Sequence, residues 1–211
     1  MNLIPFFRLI SSDNYCVIKI SEQFPHYSSG DDVDIFCYDP ENIAKKVLIW
    51  GNEYTKNGLE IRVKTQTEYR HVTVDFLKGK QIEFRFDLHG RLPCYKKLLI
   101  KPALFESVIE HSQAADYICE GESFIVRIPN IIDDIVLRYI EFIEWYNVRP
   151  DKVKHLDYII EKIDENKRAK FLDKLHYYTA IPEYFNSCQV RRQPLKKAIS
   201  KILAKFKSVK F

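Results

Sequence analysis

The 211-residue chain has no long hydrophobic run; nowhere does it approach the ~18–20 consecutive apolar residues that a membrane-spanning helix needs. Cysteine is sparse. The five thiols, Cys16, Cys37, Cys94, Cys119 and Cys188, are odd in number and contain no C-x-x-C spacing. That argues against a disulfide framework or a zinc knuckle and for a reducing cytoplasm. Residues 1–7 offer no basic stretch and no small-residue cleavage site, so export by a signal peptide is not expected. The chain also lacks a Walker A loop, the Rossmann glycine fingerprint, H-E-x-x-H and G-x-S-x-G. The enzyme classes built on those motifs lose their support.

What is present is ordinary in bulk: 46% hydrophobic and 29% charged residues, the balance of a globular chain with a real core rather than a disordered one. The net charge of +4 conceals an asymmetry. Eight of the 33 bases lie in residues 191–211, which hold no acid, so the other 190 residues keep 25 bases against 29 acids. The body is mildly acidic and the tail strongly basic.

Hydrophobic periodicity predicts an α+β chain. Residues 15–20 read as a buried strand, with Ser21 placed to cap a short helix over 22–24. Residues 33–37 read as a second strand. Asp39-Pro40-Glu41 opens an amphipathic helix with Ile43, Ala44, Val47 and Leu48 on one side, and a turn is expected between Gly51 and Gly58. Residues 59–63 alternate as a strand. Residues 71–77 and 81–88 form the clearest hairpin, turning at Gly79. In its second strand Ile82, Phe84, Phe86 and Leu88 share one face, and Glu83, Arg85, Asp87 and His89 the other. After Pro102 the pattern turns helical, over 103–110, from Asn130 onward, over 151–163 and over 167–178, with one further strand at 123–128. The expected organisation is an α/β domain over 1–115, a mainly helical domain over 116–190 and the basic tail over 191–211.

The most informative segment is Gly30-Asp31-Asp32-Val33-Asp34. Asp32 and Asp34 stand two apart on a strand, so their carboxylates leave one face with Cα atoms about 7 Å apart. Such hard oxygen donors suit Mg2+ or Mn2+ together with substrate phosphates; a polar strand end would carry the same residues. Asp75 and Glu83 are alternative carboxylates, read as solvated hairpin residues. His89 could meet phosphate or simply satisfy a hydrogen bond, and His155 and Asp157 are read as packing or capping residues.

The run Val17-Ile18-Lys19-Ile20-Ser21, a spacer of ten residues and Asp32-Val33-Asp34 resemble the signature of the DNA polymerase β-like nucleotidyltransferase superfamily: a hydrophobic strand, Gly-Ser, a spacer near ten and Asp-x-Asp. More closely, Lys19, the Asp32-Val33-Asp34 strand and Phe86-Asp87-Leu88-His89, in that order, are similar to the uncharacterised nucleotidyltransferase-like family of bacteria. The similarity covers roughly residues 10–180, including helices around 154–160. It implies a nucleotidyltransferase-like mixed sheet in which Asp32, Asp34 and Asp87 are catalytic and hold the metal ions, with Asp87 also deprotonating the acceptor hydroxyl. It further implies a nucleoside triphosphate whose phosphates meet Lys19 and Ser21. The sequence departs at Ile20, where the pattern has glycine. Either the triphosphate sits differently, or the site is altered or silent.

In residues 191–211, Leu195, Ala198, Ile199, Ile202, Leu203, Phe206 and Val209 fall within a helical stripe of about 140°, with Lys196, Lys197, Lys201, Lys205 and Lys207 on the remaining arc and its borders and Lys210 inside the stripe near its end. This is the pattern of a helix lying on an anionic membrane; a helix docked on its own domain and an RNA-contacting tail are the competing readings. The expectation from sequence is therefore a metal-dependent nucleotidyl or phosphoryl transferase, cytoplasmic and peripheral at the inner membrane face. Its hydroxyl acceptor would be a cell-surface glycan or lipid-linked precursor. The alternatives are a catalytically silent binding module of the same fold, and an RNA-modifying or antitoxin-like transferase.

Overall fold

Alternating residues at 31–37 and 60–89 condense into a sheet because one face is apolar and the other is ionisable. The computed structural model describes residues 1–21, 24–25, 27–119 and 121–179; Cys188 and the basic tail lie outside them. Strands β1 (Tyr15–Ile18), β2 (Asp31–Cys37), β3 (Glu60–Gln66), β4 (His71–Lys78) and β5 (Gln81–His89) form a mixed sheet in the order β1-β2-β5-β4-β3. β2 and β5 run parallel, and every other pairing is antiparallel. A separate hairpin joins β6 (Gln113–Cys119) to β7 (Glu122–Ile128). Among the described residues the helices are α1 (Ile4–Leu9), α2 (Pro40–Thr55), α3 (Ala103–Glu110), α4 (Ile131–Trp145), α5 (Val153–Lys162) and α6 (Glu165–Thr179). No helix among them is long and apolar enough to cross a membrane. The α+β class expected from the sequence is the class observed.

The apolar face of the sheet is closed by α1 and α2. Phe6 packs on Phe86 with centroids 4.8 Å apart, and Trp50 meets Phe6, Phe76 and Phe86 at 5.8, 5.5 and 5.6 Å. α2 begins where expected, Asp39 Oδ1 accepting the Asn42 N–H at 2.9 Å. It does not stop before Gly51 but runs through it to Thr55. A Cβ at Gly51 would lie 2.7 Å from the Phe76 ring, so glycine here permits close helix–sheet approach and marks no turn. Leu48, expected on the buried side, is exposed; Trp50 is buried in its stead. The sequence reading also passed over α1 and β6, both short elements whose residues only become amphipathic against their neighbours.

The chain divides into two compact units. Among the described residues the first comprises Met1–Cys94 and Pro102–Asp134, and the second Tyr95–Lys101 and residues 135–179. The passage between them falls inside α4, whose start is capped by Asn130 Oδ1 accepting from the Ile132 and Asp133 N–H groups, each at 3.1 Å. In the second unit the Glu144 carboxylate receives the backbone N–H groups of Lys96 and Lys97, Tyr139 packs edge-on against Phe171, and Arg138 lies 4.0 Å above the Tyr158 ring.

Candidate functional site

Strand register writes the site as three rows across the ionisable face of the sheet. The first row is Asp32, Arg85, Asp75 and Arg62, on β2, β5, β4 and β3 in turn; the second is Asp34, Asp87, Thr73 and Lys64; the third is Phe36, His89, His71 and Gln66. Neighbouring strands lie about 4.8 Å apart, so residues in a row are immediate neighbours. Asp34 and Asp87 are thereby placed side by side, with Asp32 one pleat away on the same face.

Asp34 is fixed by two groups. Lys19 Nζ lies 2.7 Å from its Oδ2, and His89 Nε2 lies 3.4 Å from its Oδ1. Burial pushes the Asp34 carboxyl up, but the charge of Lys19 and the hydrogen bond and charge of His89 outweigh it and hold the group well below the usual carboxylate range. Lys19 reaches this position from a left-handed backbone conformation (φ 55°) just past the end of β1. For a residue bearing a Cβ that costs about 1–2 kcal/mol, a strain of the kind that gathers at functional sites.

Asp87 is held differently. His71 Nε2 and Thr73 Oγ1 both lie 3.0 Å from Oδ1, and Oδ2 enters neither bond. The His71 and His89 rings stack with centroids 4.5 Å apart and planes 2° from parallel. The two carboxylates are therefore linked through a pair of imidazoles, Asp34 to His89 and Asp87 to His71.

Asp32 is exposed at the start of the face, preceded by Gly30, whose φ of 90° closes the turn into β2. The Tyr27 phenol is pushed up, first by burial and then by the charges of Asp31, Asp32 and Asp34, a measure of how acidic this end of the sheet is. Ser21 is exposed and its carbonyl accepts the Phe24 N–H at 3.1 Å, a turn; the helix expected over 22–24 falls partly on residues outside those described. Ile20 packs its partly buried side chain against the core. None of Asp32, Asp34 and Asp87 lines the clefts bounded by Tyr27, Ser28, Asn57 and Glu83 or by Ser12, Asp13, Tyr38 and Asn42.

Asp75 corrects the sequence reading. It is not a solvated hairpin residue but is 0% exposed, with Arg62 and Arg85 both bonded to its carboxylate. His71, Thr73 and Arg62 were not singled out from sequence either. The one signal that could have found them is strand pairing, and a bulge obscures it.

Among the described residues no three His, Cys, Asp or Glu side chains are already gathered around a point where a metal ion could sit. Both Asp34 oxygens are turned to Lys19 and His89, and Asp87 Oδ1 to His71 and Thr73. By kind, however, three carboxylates on two adjacent strands are the hard oxygen donors that Mg2+ or Mn2+ takes. No protein-family model, no curated protein and no solved structure matches this chain.

Proposed function

We propose that the ionisable face of the sheet is a divalent-cation-dependent nucleotidyl-transfer site. The observation that carries the reading is the register pairing of Asp34 with Asp87 on parallel strands, with Asp32 on the same face. Asp32, Asp34 and Asp87 would hold Mg2+ or Mn2+, which would offset phosphate charge and stabilise the attacking and leaving oxygens. Lys19 would release Asp34 and turn its ammonium toward the nucleoside triphosphate, with Ser21 contributing a hydroxyl at the same end of the sheet. Asp87 Oδ2 would accept the proton of the acceptor hydroxyl as that oxygen bonds to the α-phosphorus and the bond to the pyrophosphate oxygen breaks. His71 and Thr73, both on Oδ1, would keep the other oxygen pointed at the acceptor.

The acceptor follows from place. The apolar stripe and unrelieved positive charge of residues 191–211 suit an anionic membrane surface, and at the cytoplasmic face such a surface would bring the enzyme beside lipid-linked or surface-glycan precursors.

The test is a thermal titration of the full chain with Mg2+ and each nucleoside triphosphate. A nucleotide at about 100 times its Kd should add roughly 2.7 kcal/mol of stability. Asp32→Asn with Asp34→Asn should abolish the shift. The Lys19–Asp34 ion pair favours a second reading, in which a protein cation stands permanently where the metal would go and the module is silent. No shift in the wild type, recovered in Lys19→Met, would select that reading.

A further inference from the structure

Beyond the carboxylates, the same face carries a cationic cluster that the transfer chemistry does not use. Asp75 is fully buried on β4. Arg62 Nε and Nη2 donate to its Oδ2 at 3.0 and 2.7 Å from β3, and Arg85 Nε donates to its Oδ1 at 2.7 Å from β5. Lys64, two residues along β3 on the same face, has Nζ 4.0 Å from Oδ2, too far for a hydrogen bond. Three cations thus surround one carboxylate; Arg85 also stands beside Asp32 across the strand pair and feels the charge of Asp87, so the cations facing Asp75 alone are Arg62 and Lys64 on β3. The cations are accessible while their anchor is not: the Arg62, Lys64 and Arg85 side chains are 46%, 56% and 31% exposed. Arg62 Nη1 and both Nη groups of Arg85 take part in no hydrogen bond among the described residues.

A buried ion pair made only for structure needs one partner for each charge. Here a third cation is added beside two, and like charges on neighbouring positions of a sheet repel. Asp75 holds two guanidinium planes in fixed orientation with donors left over, the forked geometry that phosphate oxygens accept. The direction is equally specific. Strand order β1-β2-β5-β4-β3 puts Lys19 and Ser21 on the β1 side of the carboxylates and Arg62 and Lys64 on β3 at the opposite side, with Arg85 between them on the strand that carries Asp87. In an in-line displacement the leaving and attacking groups occupy opposite sides of the phosphorus.

We infer that Arg62, Lys64 and Arg85, organised by Asp75, form an anion subsite for a phosphate group on the acceptor, so that the acceptor is a phosphorylated hydroxyl compound. The inference rests on the nucleotidyl-transfer reading for its assignment to the acceptor, while the anion subsite itself stands on the cluster.

The experiment is titration of the full-length protein with inorganic phosphate in the presence of EDTA, followed by two-dimensional amide NMR. The wild type should bind, and Arg62→Gln with Lys64→Gln should weaken binding at least about tenfold. Lys64→Gln alone, which removes no bond from Asp75, should weaken it about two- to fivefold without a change in melting temperature. Asp32→Asn with Asp34→Asn should bind phosphate at least as well as the wild type. A second arm adds the Mg2+–nucleotide complex found in the thermal titration; it should bind alongside phosphate and be unaffected by the Arg62/Lys64 pair of substitutions. If phosphate fails to bind, binds equally well to the variants, or competes with nucleotide so that both are weakened together, the acceptor subsite is wrong. If no nucleotide binds but phosphate does, with the expected loss in the variants, the anion subsite stands and the transfer reading fails.

Discussion

Asp34 and Asp87 are direct register partners on neighbouring parallel strands, yet each is held from a different direction, Asp34 by Lys19 and His89 and Asp87 by His71 and Thr73. Two carboxylates side by side would repel. Lys19 and His89 occupy both Asp34 oxygens, whereas His71 and Thr73 meet only Oδ1 of Asp87 and leave its Oδ2 outside those bonds.

Replacing Lys19 tests the first half of that arrangement. Lys19→Met keeps the stem but removes the charge, leaving Asp34, about one-fifth exposed, without its ammonium partner. The expected loss is about 1–3 kcal/mol near neutral pH. The folded Asp34 ionises below the ordinary value of 3.8, so the pair's contribution is whole above that value and drains away as pH falls below it. In the variant only His89 is left to oppose burial, so Asp34 takes its proton at a higher pH than in the wild type. Urea midpoints at about pH 7, 5 and 3.5 should therefore show the gap between wild type and variant closing as pH falls. A gap that widens toward acid would refute the assignment.

His71→Phe tests the second half. The ring can still stack on His89, but the hydrogen bond to Asp87 Oδ1 is gone. If the proposed nucleotidyl transfer is this site's reaction, it should slow about ten- to hundredfold, while the melting temperature moves by less than about 4 °C. Nucleotide affinity should stay within about twofold, since binding does not depend on proton acceptance. An unchanged rate would remove His71 as a positioning residue for Asp87.

Gly51→Ala concerns packing alone. Alanine favours the helix by about 1 kcal/mol, but its methyl would press on the Phe76 ring, which is fully buried and cannot turn aside. A net loss of about 1–2 kcal/mol should appear in chemical denaturation. Combined with Phe76→Leu the loss should be smaller than the sum of the two single losses, because the Phe76 ring is the nearest atom group that the methyl meets.

The basic segment 191–211 should bring the protein down with anionic vesicles and leave neutral ones alone. Truncation before Arg191 should abolish co-sedimentation with little change in the melting temperature of the body, and Phe206→Glu should weaken it by removing apolar area from the buried stripe. Failure of the full chain to bind anionic vesicles at low salt would remove the membrane from the proposed setting. Truncation that instead destabilises the body would mean that the segment docks on its own domain.

The sequence by itself determined the elements whose signals are local. Asp39-Pro40 opens α2, Asn130 caps α4, Gly79 turns the β4–β5 hairpin, and period-two alternation puts Arg85, Asp87 and His89 on one face. Those depend on backbone geometry within a few residues, which composition and spacing encode. Tertiary structure alone decided what stands beside Asp87. The hairpin pairs Lys78 with Gln81 and Leu77 with Ile82, then shifts so that Phe76 meets Phe84. Counted without that bulge, Asp87 would fall opposite Val72, and the polar face of one strand would meet the apolar face of the other. The shift brings Thr73 to Asp87, His71 to His89 and Asp75 to Arg85, because burying Val72, Val74 and Phe76 under α2 outweighs one lost ladder position. Gly51 belongs to the same class: its meaning depends on how closely α2 approaches Phe76, a distance fixed by the assembled core.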